Sequence, residues 1–255
     1  MTARGKFPIS PALLAAHLRT RAPVTDDAFD SLLSQRASAH SPTCWTPVHV
    51  AQAAARLFRE AGATRVLDVG SGVGKFCTIL SLDSGHRVWG VERRGALVYE
   101  SRLLAQQLEA EVVIIEGALT DVDPRPFDGF YFFNPLAEHL AQPAFCFDVE
   151  IERSLEGHLR EARCIEQWLN DAPVGTCFVT YNGLGGRIPT SFMARRTLQL
   201  HGNVMRLWVK VRETASDAFI DIEDLLLTAS YLRGLEEEMG ADFPFARNPL
   251  VRALM

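Results

Sequence analysis

Arg65-Val66-Leu67-Asp68-Val69-Gly70-Ser71-Gly72-Val73-Gly74-Lys75-Phe76-Cys77-Thr78-Ile79-Leu80 reads as a strand, a glycine-rich turn and the start of a helix in one line. Gly70, Gly72 and Gly74 lack a Cβ, so the backbone can turn sharply there and a ligand can lie against the main chain. The helix that follows presents N–H groups without intrahelical partners.

Three ligand classes use such a turn, and the residue types separate them. A dinucleotide fingerprint G-x-G-x-x-G starting at Gly70 needs glycine or alanine at its sixth place, where Lys75 stands. NAD is disfavoured. A phosphate-gripping G-x-x-x-x-G-K-[ST] loop read back from Gly74-Lys75 begins on Val69 and ends on Phe76 instead of a hydroxyl, which disfavours ATP more strongly. The Asp68 carboxylate, just before the first glycine, repels a pyrophosphate and attracts an ammonium group. A cationic amino-acid ligand fits better.

Outward from this segment the chain alternates. Strands are expected at Arg65–Val69, Arg87–Val91, Val112–Ile115, Phe127–Phe133 and Thr176–Tyr181, separated by helices at Lys75–Leu82, Gly95–Leu108 and Phe147–Asn170. This repetition implies an α/β fold with a doubly wound, mostly parallel sheet and helices on both faces. Ile151, Leu155, Leu159, Ala162, Ile165 and Leu169 form a core stripe on the long helix. Before the first strand, Thr46 is expected as N-cap and Pro47 as first helical residue of a helix closing at Gly62. Residues 1–44 read as an N-terminal helical cap with helices around Pro11–Thr20 and Asp26–Ala39. Thr197–Leu200, the turn His201-Gly202-Asn203 and Val204–Val211 read as an antiparallel hairpin. Residues 45–213 are then the main domain, and residues 214–255 a C-terminal extension with an amphipathic helix at Ile220–Met239.

The run from Asp68 to Gly74 resembles motif I, D-x-G-x-G-x-G, of the class I, seven-stranded, Rossmann-like S-adenosylmethionine-dependent methyltransferases. The resemblance extends over roughly residues 45–211 on a strand-by-strand reading. Glu92, ending the second strand roughly 20 residues beyond the glycines, matches the family's acidic ribose clamp. The resemblance implies a seven-stranded sheet with an antiparallel C-terminal hairpin and S-adenosyl-L-methionine as cofactor. Asp68 would orient its amino-acid part, Gly70, Ser71, Gly72 and Gly74 would admit it, and Glu92 would hold its ribose. After the third strand the family often places an acidic residue at the adenine. Ala118 stands there, leaving backbone groups of Ala118 and Leu119 and the Leu119 side chain to hold the ring, with Asp121 read as a cap. Asn134-Pro135 after the fourth strand resembles motif IV, where Asn134 would border the transferred methyl. Leu136 and Ala137 lack the second proline and aromatic residue of enzymes that methylate planar amino nitrogens.

Glu138 and His139 are candidate general bases, because a hydroxyl or ammonium acceptor must lose a proton. They read equally as solvated residues of a loop. Tyr181-Asn182-Gly183-Leu184-Gly185-Gly186-Arg187 is an acceptor-binding loop or a flexible turn. Trp45, Thr46 and His49 lie on an edge that commonly closes over the cofactor's methionine end in this family. Its wording G-S-G-V-G also looks like that of the non-SET lysine methyltransferases, so the acceptor is left as a small molecule or a protein side chain such as lysine. A non-catalytic adenosylmethionine- or nucleotide-binding module and an NAD-linked oxidoreductase are the competing readings.

The 255 residues are 47% hydrophobic and suffice for a full core. A net charge of −5, from 26 basic and 31 acidic residues, argues against general nucleic-acid binding. Five cysteines without C-x-x-C spacing read as reduced thiols of a cytoplasmic protein. No metal site and no membrane association are expected, and homo-oligomerisation is left open.

Overall fold

The computed structural model describes residues 9–83, 85–136, 139, 154–213 and 219–220. Strands β1 (Arg65–Val69), β2 (Arg87–Glu92), β3 (Val112–Glu116), β4 (Gly129–Phe133) and β5 (Cys177–Tyr181) pair in parallel. The two-residue β6 (Ile188–Pro189) pairs with β9 (Phe219–Ile220), while β7 (Phe192–Leu200) and β8 (Asn203–Lys210) form the hairpin. The main sheet has seven strands in the order β3-β2-β1-β4-β5-β8-β7, with β8 antiparallel to both neighbours. This is the architecture that the motif resemblance implies.

From β1 the chain moves outward through β2 and β3, then returns to place β4 and β5 on the other side of β1. The connections therefore diverge between the carboxyl ends of β1 and β4, where ligands of doubly wound sheets sit. Val69 is in register with Phe132, so the residues after each strand face each other across this gap.

Strand residues alternate between two cores. Val66, Val88, Tyr131 and Val179 pack with helices α1 (Pro11–Arg19), α2 (Asp26–Asp30), α3 (Gln35–Cys44), α4 (Val48–Ala61), α5 (Lys75–Leu82) and α6 (Gly95–Gln107). Leu67, Val69, Phe130, Phe132 and Phe178 pack with α7 (Leu155–Asp171) and Trp208. Helices thus cover both faces, and β4 and β5 read as apolar runs because neither side meets water. Leu14, Leu18, Phe29 and Ala37 of the cap are buried in the same core as α4 and α5, so the N-terminal helices are continuous with the sheet's first layer.

Several boundaries differ from expectation for local reasons. The second cap helix is two, broken at residues 31–34, where Ser34 caps α3 through the Ala37 N–H. Pro47, not Thr46, is the N-cap of α4, and the Val48 N–H is satisfied by Asp26 Oδ1 at 2.9 Å, while the Thr46 hydroxyl meets Tyr131 OH. Leu159 is exposed, because the buried face of α7 runs through His158, Glu161, Ala162, Ile165 and Glu166 and is half polar. The hairpin turn is the two residues His201-Gly202 at φ 50° and 82°, with Asn203 already in β8. Ile220 lies in β9; the rest of the expected C-terminal helix, Ile151 and Cys146 fall outside the described residues. No helix among the described residues is long and apolar enough to cross a membrane.

Candidate active site

The glycine turn is hooked onto the end of β2. The N–H groups of Gly70 and Ser71 both donate to the Val91 carbonyl, at 3.0 and 2.9 Å, and the Gly72 N–H donates to Glu92 Oε2 at 3.1 Å. Gly70, Gly72 and Gly74 all have left-handed φ, at 76°, 53° and 71°. A Cβ on Gly72 would also stand 2.5 Å from the Trp45 ring, so this position is fixed by contact as well as by backbone.

Asp68 is buried beneath the turn and accepts from the Cys77 thiol at 3.3 Å. Burial pushes its carboxyl up to about 7; the thiol opposes this and the neighbouring Glu92 charge adds to it. The group is therefore poised for a cation that would replace lost hydration. Glu92 is equally buried, and its Oε1 accepts from the Arg94 N–H at 2.9 Å and guanidinium at 3.1 Å. A carboxylate offers about four lone-pair positions, so three internal bonds leave it room for a ligand hydroxyl.

In the sequence Lys75 serves only to test the dinucleotide and phosphate-loop patterns. In the structure its ammonium is buried and bonded to Asp26 Oδ1 at 2.6 Å, Asp30 Oδ1 at 2.7 Å and Ser41 Oγ at 3.2 Å. The signal was there in the i, i+4 spacing of Asp26 and Asp30 on one helix face. This cluster draws the cap over the turn. Trp45, anchored by its Nε1–H to the Ala37 carbonyl at 2.8 Å, lines a narrow cleft with Thr46, Asp68, Gly70, Ser71, Phe76 and Phe133. Trp45 and Thr46 are at the expected edge. His49 is not, because its Nε2 meets His201 Nδ1 at 2.9 Å on the hairpin turn.

Beyond β3, the Ala118 N–H donates to Asp121 Oδ2 at 3.1 Å and its carbonyl accepts from the Asp121 N–H. Asp121 is the turn cap; it takes the Ala118 N–H, and the Ala118 carbonyl keeps one lone pair. Leu119 is buried and supplies an apolar wall.

Opposite the glycine turn, Asn134 follows β4 at φ 44°, buried, with neither amide atom hydrogen-bonded. Left-handed backbone and an unpartnered buried amide each carry a free-energy penalty, and such strain clusters where ligands bind. His139 is buried too. Its Nε2 lies 3.2 Å from Glu161 Oε2, and its Nδ1–Cε1 edge lies against Gly157. Both ring nitrogens thus face α7. Glu138 lies outside the described residues.

Three groups on α7 escaped the sequence reading, which followed the apolar stripe alone. Glu161 accepts from one Arg93 nitrogen through both oxygens at 3.0 Å. Burial alone would raise its carboxyl, but the His139 contact and the Arg93 charge hold it below the usual range. His158 Nδ1 sits 3.4 Å from the Leu136 carbonyl, with burial lowering its basicity. Glu166 pairs with Arg187 at 2.7 Å and accepts from the Arg187 N–H. The 181–186 loop is buried throughout, so it is a fixed wall rather than a flexible turn.

The sequence matches no protein-family model and no curated protein. Its structure is similar to an RNA methyltransferase from Salinibacter ruber in complex with S-adenosyl-L-homocysteine, with 19% identity, 68% of this chain and 97% of that one covered, and a TM-score of 0.49. It is similar to a mutant of MtNAS in complex with S-adenosylmethionine, with 19% identity, coverage of 79% and 73%, and a TM-score of 0.47. A third similarity is to the mitomycin 7-O-methyltransferase MmcR, at 14% identity, coverage of 64% and 54%, and a TM-score of 0.45. At these values the functional reading stands on this chain's own residues.

Proposed function

We propose that the chain binds S-adenosyl-L-methionine and catalyses methyl transfer to a small molecule or a protein side chain such as lysine. The observation that carries this is the pairing, across the gap between β1 and β4, of a buried carboxylate under a glycine turn with a buried amide that has no partner of its own. The first suits an ammonium group, and the second suits the polar hydrogen of an acceptor.

Bound there, the cofactor supplies an electrophilic methyl on a sulfonium, so alignment matters more than side-chain chemistry. Asp68 holds the amino group, and the left-handed glycines let the ligand approach the main chain. Glu92 accepts from ribose hydroxyls, and Leu119 flanks the adenine. Asn134 accepts from the acceptor's N–H or O–H and aims its lone pair at the methyl. The acceptor's lone pair would form the new bond to the methyl carbon as the carbon–sulfur bond breaks, S-adenosylhomocysteine being the leaving group and the acceptor proton passing to a base. Glu138 and His139 are the two candidate bases, and the His139 ring is turned toward α7.

Calorimetric titration with S-adenosylhomocysteine and with NADH tests the reading. Micromolar binding of the first, none of the second, and transfer of labelled methyl into a lysate component are expected. Binding of NADH alone overturns it, and binding without any transfer leaves a non-catalytic module.

A further inference from the structure

The Arg93–Glu161–His139 cluster is an unusual use of a core position. Glu161 projects from the buried face of α7, one turn before Ile165, where an apolar residue would pack without desolvating a charge. Its two partners come from opposite sides of the cleft. Arg93 directly follows Glu92, the residue placed at the ribose. His139 comes five positions after Asn134, in a turn closed by its own N–H on the Leu136 carbonyl at 3.3 Å. The same turn is gripped by His158 at the Leu136 carbonyl, and a Cβ on Gly157 would stand 2.8 Å from the His139 ring. Nothing else among these contacts joins the two sides.

We propose that Glu161 is a positioning residue that couples the cofactor side to the acceptor side. When Glu92 engages a ribose, the adjoining Arg93 is held in place, Glu161 is held by Arg93, and His139 fixes the turn that begins at Asn134. The acceptor-facing amide is thereby held more firmly once cofactor is bound, so the two ligands bind with positive coupling. The groups facing Glu161 are Arg93 beyond β2, His139 beyond β4 and His158 on its own helix. This rests on the methyltransferase reading, and its test is separable from that reading.

The experiment uses the full chain with 15N-labelled asparagine and histidine, the Asn134 and His139 signals being assigned with Asn134→Asp and His139→Gln. S-adenosylhomocysteine should shift both signals in the wild type. In Glu161→Gln it should still bind within about threefold of wild-type affinity, with the His139 response lost while Asn134, which borders the bound cofactor, still shifts. Arg93→Gln, which cuts the same link from its more exposed end, should behave alike if Glu161→Gln folds poorly, and Arg93→Lys should restore part of the response. An undiminished His139 shift in both severed variants overturns the coupling and leaves the cofactor assignment intact. Absence of binding to the wild type overturns both.

Discussion

The two sides of the cleft are built on different principles. On the cofactor side, Asp68, the three glycines and Glu92 come from two adjacent strand ends, and every turn N–H described above has a backbone or carboxylate acceptor. On the acceptor side, Asn134 is left strained and unpartnered, while its surroundings come from a helix more than twenty residues further on. The first side is internally bonded, as suits the cofactor proposed for it. The second leaves an amide without a protein partner among the described residues, which the proposed acceptor would satisfy.

The contrast is broken or sharpened by four measurements. Asp68→Asn should weaken S-adenosylhomocysteine binding roughly a hundredfold by calorimetry, while raising stability at pH 8 by up to about 4 kcal/mol in urea unfolding. The sign follows from a carboxyl raised from 3.8 to about 7: the folded chain holds the extra proton between these values, so stability falls as pH rises through the window and stays low above it. Asparagine escapes that loss. A variant that binds normally would erase the difference between the sides. Lys75→Met should destabilise by about 3 kcal/mol, because Asp30 and part of Asp26 lose their buried partner; a change below about 1 kcal/mol would detach the cap from the cofactor side. Wild-type affinity for S-adenosylhomocysteine should fall about tenfold per unit as pH drops below about 7, since only the Asp68 carboxylate holds the amine. A flat profile down to pH 5 would refute that role. Asn134→Gly should gain about 1 kcal/mol by relieving φ 44° and the orphaned amide, keep cofactor affinity within about threefold, and abolish methyl transfer. Loss of cofactor binding there would merge the two sides into one.

The same contrast explains what could be read from sequence. The strand, glycine turn and acidic strand end are contiguous and obey local rules, so the placement of Asp68 and Glu92 at adjacent strand ends was legible together with the sheet. Asn134 was legible from its position after β4, though not its unpartnered state, which depends on what fails to surround it. Lys75, Glu161 and His158 were not legible as site-forming residues. A lysine in a first helical turn and a glutamate on a helix look like solvated charges until the fold brings Asp26, Asp30 and Arg93 to them from 45 to 68 residues away in the chain, and His139 from before the start of α7. Thr46 was misread because capping rules see only neighbours, whereas Asp26 caps α4 from 22 residues upstream.

The ammonium of Lys75 also imposes an order on the birth of the protein. Asp26 and Asp30 leave the ribosome well before the residue that neutralises them, and α2, at five residues, is too short to persist alone. The leading helices must therefore wait, unsettled, until the first strand and its turn have emerged, and then dock as that turn closes.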